Sequence, residues 1–239
     1  MELLKKAIRQ ALRQFGADVH RYQHTLPFVR SRLFSNLTPD LVLDVGANRG
    51  QYARDLRRAG YEGRIVSFEP LPEAFSRLSH AFSSDAQWQG LQLALGEEDG
   101  SAMINVAGNS VSSSILEMSD AHLAAAPSSA YVGSLTTDLA RLDTLAGHVL
   151  GAAKRVFFKL DVQGYELSVL RGAQQTLKEG PICAIESELS IVPCYEGQAL
   201  LAEVVTYLEG LRFVPVWLEK GLIDPNGYLL QLDGLFIRG

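Results

Sequence analysis

From Leu41 onward, short aliphatic runs recur at 41–45, 64–68, 90–95, 155–160 and 182–187, each a predicted buried strand. Between them apolar positions repeat at helical spacing over 50–59, 72–82 and 165–178, with a further helix over 198–210. Gly60 closes the first of these as a glycine free to take positive φ, and Pro72 stands near the start of the second, where a missing N–H costs nothing. Alternation of this kind predicts a mostly parallel sheet with helices on both faces. Two last strands, about 212–218 and 232–238, flank the turn Asp224-Pro225-Asn226-Gly227 and predict a hairpin. Residues 96–154 break the rhythm with a turn at Gly96–Gly100, a short strand over Met103–Val106 and the polar loop Gly108–Ser114. An insertion placed between two core strands suits a lid over the sheet's carboxyl edge.

Ahead of the sheet, Leu3, Leu4, Ala7, Ile8, Ala11, Leu12 and Phe15 fall on one face of an amphipathic helix, with Lys5, Lys6, Arg9 and Arg13 on the other. Pro27 and the Asn36-Leu37-Thr38-Pro39 turn separate this arm from the first strand. The expected organisation is therefore a helical extension over 1–38 and a main domain over 39–239. Charge follows the same division: residues 1–32 carry seven Lys/Arg against two Asp/Glu, so the −5 of the whole chain leaves −10 on the remainder. A body this acidic argues against a nucleic-acid groove. The plain expectation is a helix that packs on the domain with its basic face solvated; the sharper one is a docking arm for an acidic partner, a membrane surface or a second subunit in a homodimer. No apolar run of 18 or more residues predicts a transmembrane span, and no secretory leader is visible, so a cytoplasmic location is expected. Cys183 and Cys194, without a CxxC pair, read as reduced structural thiols.

In an open parallel sheet, ligands bind beyond the carboxyl ends of the strands. The first strand ends in Asp44-Val45-Gly46-Ala47-Asn48-Arg49-Gly50, where glycines at 46 and 50 permit close backbone approach and Asn48 tolerates a left-handed conformation. A dinucleotide fingerprint would need glycines at 46, 48 and 51, and the chain has Asn48 and Gln51, so a nicotinamide cofactor is disfavoured; no P-loop lysine follows either. The second strand ends in Glu69-Pro70, where a carboxylate can accept hydrogen bonds from both ribose hydroxyls. Lys159 and Asp161 share one face of the fourth strand, and a lysine in an apolar strand demands a carboxylate partner such as Asp161. Glu186 and Glu188 end the fifth, facing one way. These features point to an adenosine-type ligand.

Taken in order, Asp44 to Gly50, Phe68-Glu69-Pro70, Arg141-Leu142-Asp143, Lys159-Leu160-Asp161-Val162-Gln163-Gly164-Tyr165-Glu166, Glu188-Leu189-Ser190 with Tyr195-Glu196-Gly197, and Asp233-Gly234-Leu235-Phe236 resemble the motif series of the FkbM family. The resemblance spans about residue 40 to the C-terminus. It implies a class I, Rossmann-like methyltransferase sheet of seven strands, the last antiparallel, and S-adenosylmethionine-dependent O-methylation of a sugar or natural-product hydroxyl. It further implies that Asp44, Gly46, Asn48 and Gly50 surround the cofactor's methionine end, that Glu69 holds the ribose, and that Ala47, Tyr52 and Pro70 also belong to the cofactor site. Ala94 and Leu95, at the end of strand three, would border the adenine. Asp161 would lie near the transferred methyl group, and Asp161, Glu188 and Lys159 are the groups expected to handle the acceptor's proton.

His122 is a weaker alternative base, and Ser190 stands where some relatives carry a histidine. Asp143, Asp161, Glu188 and Asp233 could converge on a hard cation, but their spacing matches no recognised ligand set and no metal is assigned. The main alternative to an enzyme is a cofactor-binding scaffold without turnover.

Overall fold

The computed structural model describes Lys6, Gln10 to Leu12, Gln14, Phe15, Gln23 and residues 25–239. Other positions of the expected N-terminal amphipathic helix lie outside the described residues. The chain forms two compact units, Met1–Asn36 and Leu37–Gly239. In the first, Lys6, Gln10 to Leu12 and Gln14 are helical, and Phe15 is exposed. Pro27, expected to help separate the arm from the first strand, lies in the first turn of α1 (Leu26–Leu37), where no intrahelical N–H is lost.

The second unit is built on a seven-stranded sheet. Its strands are β1 (Leu41–Val45), β2 (Arg64–Phe68), β3 (Trp88–Leu91), β7 (Val156–Leu160), β8 (Ile182–Ser190), β9 (Phe213–Lys220) and β10 (Gln231–Arg238), in the order β3-β2-β1-β7-β8-β10-β9. All neighbours pair in parallel until β10, which runs antiparallel to both β8 and β9. Strands β1 and β7 are buried at every position, as expected for a sheet covered on both faces. The connecting helices are α2 (Gln51–Arg58), α3 (Pro72–Ala81), α4 (Asp120–Ala125), α5 (Leu142–Val149), α6 (Glu166–Gly172), α7 (Gln174–Glu179) and α8 (Leu201–Gly210). The main core joins Leu43, Val45, Phe158, Leu160, Val169, Leu170 and Ile185 with residues from most of these elements.

A second sheet of three strands, β4 (Ala94–Leu95), β6 (Tyr131–Ala140) and β5 (Gly100–Ala107), is built mainly from the inserted region. The single strand expected over 90–95 is corrected: β3 ends at Leu91, and Ala94 and Leu95 pair with Leu139 and Ala140 instead. Likewise the helix expected over 165–178 is two helices broken at Ala173. Among the described residues no helix is long and apolar enough to cross a membrane.

Candidate active site

Sequence neighbours diverge between β1 and β7, since β1 leads leftward to β2 while β7 leads on to β8, and such a switch point opens a crevice at the carboxyl ends. Both sides of this crevice are in contact. Gly46 has φ 73°, and a Cβ there would strike the Asp161 carbonyl directly, so only glycine lets the β1 turn lie against the end of β7. Asn48 (φ 47°) takes the left-handed conformation its residue type allows. Gly50 (φ 79°) opens α2 against the side chains of Leu78 and Phe82.

Every N–H of the turn has a partner within the protein. Those of Gly46 and Ala47 donate to the Phe68 carbonyl, Asn48 to Glu69 Oε2 (2.7 Å), Arg49 to Asn48 Oδ1, and Gly50 to the Ala47 carbonyl. No row of N–H groups is left to cradle a phosphate, which is the physical content of the failed dinucleotide spacing. A nucleoside ligand fits better. Glu69 is buried, accepts Asn48 N–H and Leu71 N–H on its two oxygens, and retains lone pairs for two hydroxyls. Burial pushes its pKa up to about 7, against the pull of those two N–H groups. Asp44 is fully buried, and its Oδ1 makes no hydrogen bond, only an ion-pair contact of 3.3 Å with Lys159. An under-satisfied carboxylate at the start of the glycine turn fits the charged end of an amino-acid moiety.

On the other side, Asp161 Oδ1 and Glu188 Oε2 share one donor, the Nε2 amide of Gln163 at 2.7 and 3.3 Å. Gln163 holds a left-handed φ of 55°, and its Oε1 accepts the Tyr195 hydroxyl at 2.7 Å. Gln231 donates to Glu188 Oε2 at 2.8 Å and to Ser190 Oγ at 3.2 Å. Burial, Asp161, Glu166 and Asp233 together push the Glu188 pKa well above the carboxylate range; Asp233 stands directly opposite on β10. The insert closes on this group through Asn48 Nδ2 to Ser110 Oγ (3.3 Å), Ser114 Oγ to the Gln163 carbonyl (2.6 Å) and Tyr195 hydroxyl to the Ser112 carbonyl (3.3 Å).

Most predicted positions thus lie together. Lys159, a candidate for handling the acceptor's proton, donates from its ammonium to the Val45 and Gly46 carbonyls, both at 3.2 Å, and contacts Asp44 and Asp161. Burial would lower its pKa, but the two carboxylates more than offset this and raise it, so the amine stays protonated. Tyr52 directs its hydroxyl to Glu186 at 3.0 Å. Ala94 and Leu95 belong to the second sheet, and Pro70 is half-buried beside Glu69. Asp143 does not join the other carboxylates; it caps α7 by accepting Gln175 N–H, Thr176 N–H and the Thr176 hydroxyl. Among the described residues no cluster of three or more metal-ligating groups forms. His122 is buried with its ring tilted on Tyr195, 5.1 Å between centroids, and burial lowers its pKa. Gln163, Tyr195 and Gln231 have no role in the sequence reading; Gln163 and Tyr195 stand within the motifs that carry the family resemblance, and that was the visible signal for them.

The strand order with β10 alone reversed, closed by a nucleoside-type turn and a carboxylate after β2, is that of a class I S-adenosylmethionine-dependent methyltransferase. A model of the methyltransferase FkbM domain matches residues 44–215, most of the chain. The chain belongs to the FkbM methyltransferase family, and S-adenosylmethionine is its cofactor. The 2-O-methyltransferase NoeI of Sinorhizobium fredii is 23% identical over 215 residues, covering 87% of each chain. Among solved structures, an rRNA methylase from Streptococcus thermophilus gives a TM-score of 0.48 at 12% identity, over 93% of this chain and 99% of that one. Fibrillarin from Aeropyrum pernix with natively bound S-adenosyl-L-methionine gives 0.47 at 10% identity, over 83% and 66%.

Proposed function

We propose that this methyltransferase transfers its methyl group to a hydroxyl of a small polyhydroxylated acceptor, a sugar or natural product. One observation carries this: two carboxylates, Asp161 and Glu188, are held by a single amide beside the cofactor turn. A hydroxyl acceptor must lose a proton as its oxygen attacks, and a base with a raised pKa is matched to that task near neutral pH. NoeI carries 2-O-methyl transfer in its name, which supports oxygen as the acceptor atom. The −10 carried by residues 33–239 favours a small acceptor over RNA.

In this scheme Asp44, Gly46, Ala47, Asn48 and Gly50 hold the methionine end of the cofactor, and Glu69 holds its ribose. The bound cofactor supplies a sulfonium-activated methyl group for in-line displacement. Asp161 accepts a hydrogen bond from the acceptor and aligns it, and Glu188 takes the proton. Residues 96–154 cover the edge and exclude water, while 1–38 form an extension outside the methyltransferase domain. The test is methyl transfer from labelled S-adenosylmethionine to a panel of sugars and polyols. Glu188→Gln is expected to lower turnover about 10²- to 10⁴-fold with S-adenosylhomocysteine affinity unchanged. Wild-type turnover is expected to rise with pH through a value above the ordinary carboxylate range, as Glu188 ionises. Product methylated only on nitrogen or carbon would sink the proposal.

A further inference from the structure

A row of polar side chains crosses the middle of the main sheet. Ser67, Asp44, Lys159 and Glu186 occupy matched register positions on β2, β1, β7 and β8, and all four are buried. The row is continuous in contacts. The Trp88 indole N–H donates to Ser67 Oγ (3.1 Å), Ser67 Oγ donates to Asp44 Oδ2 (3.4 Å), and Lys159 Nζ meets Asp44 Oδ1 at 3.3 Å. Gly90, in register with Ser67, leaves the space Trp88 fills. Tyr52 lies over the Lys159 ammonium, 5.5 Å from centroid to Nζ, and bonds Glu186.

Stability alone does not account for a lysine here, because a buried ion pair often gives no net gain over well-packed apolar residues. What the ammonium does that an aliphatic chain cannot is donate to the two carbonyls where β1 ends and the glycine turn begins. We propose that Lys159 is a positioning residue of the cofactor site: it clamps Val45 and Gly46 from below and supplies the counter-charge to Asp44 beneath the turn. The role rests on the assignment of this turn to the cofactor's methionine end. Lys159 acts through Asp44 and Gly46, without touching the transferred methyl group.

The charged and titratable groups facing Asp44 and Lys159 are Asp161, Glu69 and Glu186, with Tyr52 above the ammonium. Wild-type affinity for S-adenosylhomocysteine, measured by calorimetry from pH 5.5 to 9, is expected to fall with a one-proton slope below about 7, where Glu69 takes up a proton. Lys159→Met is expected to bind about 10- to 100-fold more weakly at pH 8. It should also show a two-proton slope, because Asp44 without its counter-charge takes up a second proton. The double variant Asp44→Asn/Lys159→Met strands no buried charge; it should fold, bind weakly and return to the one-proton slope. Lys159→Arg is expected to recover part of the affinity. Wild-type affinity and pH profile in Lys159→Met, or wild-type affinity in the double variant should the single one not fold, overturn the proposal. A loss of thermal stability in Lys159→Met with its affinity and pH profile unchanged overturns it too and leaves a purely structural lysine. Wild-type affinity that survives Glu69→Ala overturns the cofactor assignment itself and Lys159's role with it.

Discussion

Glu69 concentrates several demands in one carboxylate. It orders the glycine turn through Asn48, fixes the entry to α3 through Leu71, and titrates near 7 because it is buried. Replacing it with glutamine keeps the shape but removes the charge-assisted acceptance, and S-adenosylhomocysteine affinity is expected to fall about tenfold or more. The decline in affinity below pH 7 should vanish with it, as calorimetry across pH would show. Gly46→Ala is a harsher change: the new methyl group would occupy the position of the Asp161 carbonyl at a backbone angle L-residues avoid. Cofactor binding should be lost, and chemical denaturation should show destabilisation of about 1–3 kcal/mol. At this scale the residues ending the strands were legible, since a strand's carboxyl end marks Asp44, Gly46 and Glu69 directly. Gln163, Tyr195 and Gln231 were not, because their partners lie 25 to 43 positions away and local pattern says nothing about such crossings.

At the level of elements, β1 and β2 announced themselves as aliphatic runs, whereas β6 did not. Its sequence mixes glycine, serine and threonine, and most of its side chains are exposed or only part-buried, so it carries no apolar signature. The break at Ala173 was equally hidden, because helical spacing continues across it; Gly172 there packs against the Gly96 carbonyl with no room for a Cβ. Asp143 starts the next helix from outside it, and Asp143→Ala should cost about 1–2 kcal/mol, visible as a lowered unfolding midpoint. The insert is tied to the 193–196 segment by backbone bonds at Glu117 and Ser119, whereas at Gln163 it is held by the Ser114 hydroxyl, so Ser114→Ala should raise amide hydrogen exchange over 108–116 while β1 and β7 keep their protection.

For the molecule as a whole, pH dependence of stability has an unusual sign near neutrality. Glu69 and Glu166 both sit near 7 in the folded chain, chiefly through burial, against about 4.3 in an unfolded one. Their contribution is complete below the unfolded value and is lost as pH rises through the folded value. Asp40, Asp85 and Asp224 are held low by accepted hydrogen bonds that outweigh their slight burial, so their contribution is lost in acid. Urea denaturation of the ligand-free protein is therefore expected to give a maximum near pH 5 and a decline toward 7.5. Glu69→Gln should flatten that decline; a wild-type maximum at pH 8 would contradict the assignment.

The three-stranded sheet has a consequence for how such a chain diversifies. It satisfies its ladder among β4, β5 and β6, so its outer turn can be lengthened, shortened or exchanged without cutting a rung between β1 and β7. Inheritance of the donor and invention of the recipient are thereby separable, and a graft of residues 108–130 from a distant relative should keep S-adenosylhomocysteine affinity while changing which acceptor is methylated.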